Sequence, residues 1–325
     1  MEIEKHRDFS KLRLKEISNR ISQIPQLKES SLCVFATGSY GRLEASENSD
    51  IDLFLIDTDD INQTSNLNKT IINAEIIKIC RNLGLPEFSN DGLYLKAIWL
   101  KEIQTYLGSP TDDYNNYFTA RLLMLLESKP LFDASLYDKC VTTLIDCYYH
   151  DFPDHVKNFK PIFLANDIIR FWKTLCLNYE HKRIGHTDLF DKDDSEHKKM
   201  VTHTKNLKLK FSRKLTCFSF ILCLVDFDKT INPEDIKQIS SLSPTERLEY
   251  LKNKNSSVGG KIQKALNSYQ WFIDKTQIPS KDMIEWIKDK KERDNAFERS
   301  RQFEEELFEI LQVIDRQHIL PKLLI

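Results

Sequence analysis

Two short stretches, Thr37-Gly38-Ser39-Tyr40-Gly41-Arg42 and Ser49-Asp50-Ile51-Asp52-Leu53, hold the residues of this chain best suited to chemistry. An apolar run, Leu32 to Ala36, leads into the Gly-Ser pair, and the Asp pair opens a second apolar run, Leu53 to Ile56. The pattern predicts strand, glycine turn, short helix, strand. Gly38 lacks a Cβ and tolerates positive φ, so its backbone can approach a ligand closely. The N–H groups of Ser39 and Tyr40, at the start of the next helix, can hold a phosphate. Asp50 and Asp52, two apart on a strand, share a face and can share a hard cation such as Mg²⁺, or Mn²⁺ in its place.

Three side chains extend this set. Arg42 falls one turn along the same helix, where a guanidinium can reach a phosphate oxygen; the alternative is a surface arginine paired with Glu44 or Glu47. Ser49 is placed to cap or hydrogen-bond at the entry to the Asp strand, beside the same phosphate site. Leu93 to Leu100 reads as a third strand but contains no acid, which leaves Asp91, just before it, and Glu87 as candidates for a third carboxylate.

The Gly-Ser turn, the spacing and the Asp-hydrophobic-Asp resemble the signature of the nucleotidyltransferase superfamily of DNA polymerase β. Phe118 to Leu123, and Leu126 to Phe132, are similar to the helix that follows the catalytic domain in uridylyltransferases of the nitrogen-signalling protein. They are similar also to bacterial relatives that join a nucleotidyltransferase domain to a helical substrate-binding domain. Those relatives share Gly-Ser-x-Gly-Arg, here Gly38 to Arg42, and Ser-Asp-x-Asp, here Ser49 to Asp52. The resemblance covers roughly residues 30–215. It implies Mg²⁺-dependent transfer of NMP from an NTP, ATP or UTP first, to a protein, nucleotide or RNA acceptor with release of pyrophosphate. It also implies a third carboxylate on a later strand, where this chain departs from the pattern. It does not name the acceptor. The competing class is a binding module that senses nucleotide without turnover, which the missing acid favours.

Two polar stripes sit further along. Asn166, Arg170 and Lys173 recur at helical spacing on an otherwise apolar helix; Asn206, Lys210 and Arg213 repeat that spacing on the next long one. Facing each other across a cleft, they would make a basic wall opposite the Asp pair, suited to a triphosphate or an RNA backbone. Alternatively they are solvated faces. His181, His186, His197 and His203 cluster loosely in a charged stretch without zinc-site spacing to any cysteine.

Composition sets the bounds. The chain has 325 residues, 41% hydrophobic and 30% charged, with a net charge of −2, as expected of a globular protein with room for two domains. Near-neutral charge gives no reason to expect duplex DNA. The charged start, Met1 to Asp8, lacks the apolar run of a signal peptide, and Leu215 to Phe227 is too short to span a bilayer. Seven scattered cysteines without Cys-x-x-Cys read as reduced core residues of a cytoplasmic protein.

The elements that must position the Asp pair follow from periodicity. A helix is expected over 3–24, stopped by Pro25, then strands at 31–37 and 50–57, a polar loop Thr58-Asp59-Asp60, a helix over 66–83 and the third strand at 93–100. After Gly108 strand signals almost vanish, and helices are expected at 113–128, 135–149, 161–182, 197–227, 243–253, 257–276 and 280–316. The fold class is α+β: a small mixed-sheet nucleotidyltransferase domain, residues 1–107, followed by a large all-helical domain, residues 108–325.

Overall fold

A computed structural model describes residues 2–59, 64–157, 159–185, 195–227 and 229–315. Helices make up 73% of it beside one four-stranded sheet, so the class is α+β with helix in large excess. Asp60, His186 and the last residue of the expected 280–316 helix lie outside the described residues.

The chain opens with α1 (Glu2–Ile21) and a short α2 (Pro25–Lys28), in which Pro25 starts a helix as well as ending one. Then come β1 (Leu32–Thr37), α3 (Gly38–Gly41), β2 (Asp52–Asp57) and α4 (Asn66–Asn82). The expected third strand is mostly a 3-10 segment, Ser89–Leu95, followed by a two-residue β3 (Ile98–Trp99) and α5 (Leu100–Thr105). The expected 113–128 helix is two, α6 (Pro110–Tyr114) and α7 (Tyr117–Leu126), because Asn116 between them has φ +60. A strand that periodicity does not announce, β4 (Lys129–Phe132), precedes α8 (Ala134–Asp146). Next are α9 (Ile162–Gly185), α10 (Ser195–Lys208), a π-helical segment (Leu209–Arg213), α11 (Lys214–Val225) and α12 (Pro233–Ser241). The rest is α13 (Pro244–Lys254), α14 (Gly259–Thr276), α15 (Ser280–Lys288) and α16 (Lys290–Ile314), the last two parted where Asp289 caps α16.

The chain forms two compact units: residues 1–155 with 232–243, and residues 156–231 with 244–325. The expected boundary near 107 is therefore moved. Strand order explains why: the sheet runs β3-β2-β1-β4, so β1 needs residues 129–132 on its second side. Pro130 masks that strand in the sequence, and an edge strand tolerates it. One face of the sheet, with Val34, Ala36, Leu53 and Leu55, packs on Ile17 and Ile21 of α1 and Ile72 and Ile76 of α4. On the other, Phe35 stacks on Phe54 at 5.6 Å, and Tyr94 on Phe54 at 4.7 Å. In the second unit α11 is almost wholly buried, and among the described residues no helix is long and apolar enough to cross a membrane.

Cys80 of α4 belongs to that first core, and burial pushes its thiol up to about 12 against the opposing charge of Arg13. The thiol is neutral in the fold and ionises more readily in the unfolded chain. Its contribution is whole below about pH 9 and is lost as pH rises through about 12. Denaturation midpoints measured across that window should fall less steeply in Cys80→Ala than in the parent chain.

Candidate functional site

β1 and β2 run antiparallel, and their register puts Thr37 directly opposite Asp52. The chain leaves β1 through Gly38, whose φ is +65, makes the single turn of α3, and reverses again at Leu43, φ +59. Backbone bonds from Arg42 N–H to the Gly38 carbonyl (3.0 Å) and from Glu44 N–H to the Ser39 carbonyl (2.8 Å) close the loop on itself. A Cβ on Gly38 would sit 2.7 Å from Asp52 Oδ2. Glycine is favoured here for the left-handed backbone, and the Asp52 carboxylate packs close against its Cα. The turn and this acid are brought together, as the spacing predicts.

Asp50 is exposed, Ile51 fully buried and Asp52 half-buried. Asp50 and Ile51 precede β2, which begins at Asp52, so the strand fixes the face of Asp52 and a loop delivers Asp50. Tyr40 reports on Asp50: burial pushes its phenol up, Arg13 opposes this, and the negative charge of Asp50 adds to the rise. Ser39 is half-buried at the start of α3. Because α3 is one turn long, it offers a ligand only its first N–H groups and no extended helix dipole. Ser49 is occupied locally: its hydroxyl accepts the Ser46 N–H at 3.0 Å, closing the turn that delivers Asp50.

Arg42 has a different place from the one its spacing suggests. It is 7% exposed, with Nε 2.9 Å from Glu44 and Nη1 2.8 Å from Glu127, both buried. The guanidinium is committed to two internal carboxylates, which assigns it to holding the turn, not to open phosphate contact. Gly41 shows how tight that joint is: a Cβ there would come within 2.0 Å of the Glu127 carbonyl oxygen. Glu127 is a residue that spacing alone misses. Its only signal was its place in the 126–132 stretch, 85 positions from Arg42.

Neither candidate for a third acid is gathered with the pair into a metal-holding group among the described residues. β3 pairs with the far end of β2, Ile56 with Ile98 and Asp57 with Trp99, away from Asp52. Glu87 is held by Arg81 at 3.0 Å. Asp91 is exposed, with φ +53, in the 3-10 segment. Asp57, the other acid of β2, is buried, accepts the Thr64 N–H at 3.2 Å and pairs with Lys69 at 3.0 Å. Among the described residues no group of three or more His, Cys, Asp or Glu is gathered to hold a metal.

The helical stripes belong to the second unit. Asn166 and Lys173 are exposed on α9, and Lys210 and Arg213, half-buried, fall in the π segment that breaks the expected 197–227 helix. Arg170 meets a carboxylate of its own helix, Nε lying 3.4 Å from Asp167, a buried residue that the stripe reading passed over. Charge attraction at that distance offsets part of the cost that a guanidinium on so apolar a helix would incur. Arg170→Ala should lower thermal stability and leave NTP affinity unchanged; weaker NTP binding in a fully stable variant would return Arg170 to the nucleotide. Of the histidines, His203 is half-buried against the Phe297 ring at 5.8 Å, an edge contact and no metal site.

No protein-family model matches this chain, and no curated protein matches it.

Proposed function

We propose that the first unit is a Mg²⁺-dependent nucleotidyltransferase that moves NMP from an NTP, ATP or UTP first, to a protein, nucleotide or RNA acceptor, releasing pyrophosphate. One observation carries this reading: the Asp52 carboxylate lies against the positive-φ glycine of a Gly-Ser turn, with a second acid, Asp50, two residues before it in the chain. The first N–H groups of such a turn can take phosphate oxygens, and acids beside it would otherwise repel them. The two become compatible when a divalent cation lies between. Asp50 and Asp52 would hold it, and it would neutralise phosphate charge and align the attacking and leaving oxygens. The first N–H groups of α3 and the Ser39 hydroxyl would steady the departing phosphates. Arg42, Glu44 and Glu127 keep the turn in register with β2 without touching substrate.

A second reading, a nucleotide-binding regulatory module, is favoured by the lack of a third carboxylate beside the pair among the described residues. Incubating the full chain with each α-labelled NTP, Mg²⁺ and cell lysate separates the two. Label transferred to protein, RNA or a small product, with pyrophosphate released, supports the transferase. Saturable nucleotide binding without transfer supports the module. Neither binding nor transfer with any NTP would end both.

A further inference from the structure

The second unit carries a cavity unrelated to the Asp pair. It lies between α9, α11 and α16, has a volume of about 560 Å³, and is walled by Trp172, Phe218, Leu222, Leu307 and Leu311. That volume falls within the range of ligand pockets, roughly 300–1,000 Å³. Its charged lining is Arg301, Glu304 and Glu305 of α16 and Lys214, the first residue of α11, whose side chain is 8% exposed. The ammonium lies 5.5 Å from the Trp172 ring centre and 2.6 Å from Glu304. Burial pushes Lys214 down, and Glu304 works against that shift.

The partners of this ion pair differ in mobility. Lys214 is walled in, whereas the Glu304 side chain is 56% exposed and anchored on the open side of α16. A carboxylate so placed regains hydration if it swings away, while the ammonium must keep a counter-ion. The helix is also distorted just before Lys214. Leu209–Arg213 is a π segment in what would otherwise be one helix from Ser195 to Val225. Such segments are uncommon and recur at functional sites. Here Phe211 within it is stacked on Phe272 at 4.7 Å and Phe303 at 5.0 Å, so the distortion is fixed by packing.

We propose that this cavity binds an amphipathic organic monoanion, an alkyl or aryl carboxylate, whose acid group displaces Glu304 from Lys214 and whose apolar body covers Trp172, Phe218 and Leu222. Charge decides the sign of the ligand. A cation attracted to Glu304 would strip the buried ammonium of its partner, and a neutral amphiphile would gain only the apolar walls. The inference stands on the second unit alone and does not depend on nucleotidyl transfer.

The test titrates the full chain with decanoate, decanol and decylammonium by isothermal calorimetry, with Trp172 fluorescence as a second readout. Decanoate should bind one per chain at least about tenfold tighter than decanol, the order expected of a charge-assisted hydrogen bond. Lys214→Met should erase that preference, and Glu304→Gln, a surface change, should strengthen decanoate severalfold by removing its competitor. The proposal is overturned if decanoate shows no saturable binding, if decylammonium binds as tightly, or if Glu304→Gln leaves decanoate affinity unchanged. The last criterion holds even where Lys214→Met fails to fold.

Discussion

Asp50→Ala together with Asp52→Ala should abolish nucleotidyl transfer, a loss of at least about 10³-fold, while leaving the fold intact. The magnitude follows from what the pair would do: removing even one preorganised group that stabilises transition-state charge costs about 10²–10³ in rate. Stability should be unchanged or raised, because one acid is exposed and the other half-buried and two like charges at this spacing repel without a cation. A melting temperature within about 2 °C of the parent is the expected companion result. Turnover that survives the double change would remove the Asp pair from the chemistry. Collapse of the fold would instead assign it a structural role.

Arg42→Ala is expected to act the other way, on stability first. The guanidinium sits between Glu44 and Glu127, which are 3% and 2% exposed. Removing the cation leaves two buried carboxylates facing each other, and breaking a buried pair typically costs about 3–5 kcal/mol. Lysine should rescue little, since a single ammonium cannot reproduce the separate Nε and Nη1 bonds. Equilibrium denaturation measures the loss, and any fall in transfer should track the unfolded fraction. A variant that is stable within about 1 kcal/mol yet binds NTP poorly would restore Arg42 to the phosphate site, since surface changes rarely exceed that range.

The local parts of the site were legible because they are written in short-range chemistry. Alternating and apolar runs place β1 and β2 within one or two residues of their observed ends, and Gly38 marks the left-handed turn between them. What spacing does not carry is long-range pairing. Arg42 has a phosphate-binder's position in its motif, yet its partner lies far along the chain at Glu127. Leu93 to Leu100 has strand-forming residues, but Gly92 and Asp91, both at positive φ, and Leu100, which opens α5, leave two residues for the ladder. β4 was hidden by a proline that only an edge position tolerates. On α9, the helical stripe drew attention to Arg170 and away from Asp167, one turn earlier, which answers its charge.

The dependence of the turn on Glu127 also orders events in time. β1 and β2 can pair once residue 57 has left the ribosome, yet the guanidinium clasp and the seat for Gly41 need a residue made 85 positions after Arg42. From residue 57 to residue 127 is 70 positions, and at roughly 5–20 residues per second that is a wait of about 3.5–14 s, during which β1 also lacks its second neighbour. Through that interval the nascent hairpin presents an open strand edge beside a loose acidic loop. Chaperone demand and sensitivity to translation speed should therefore concentrate between residues 57 and 132, before either unit is complete.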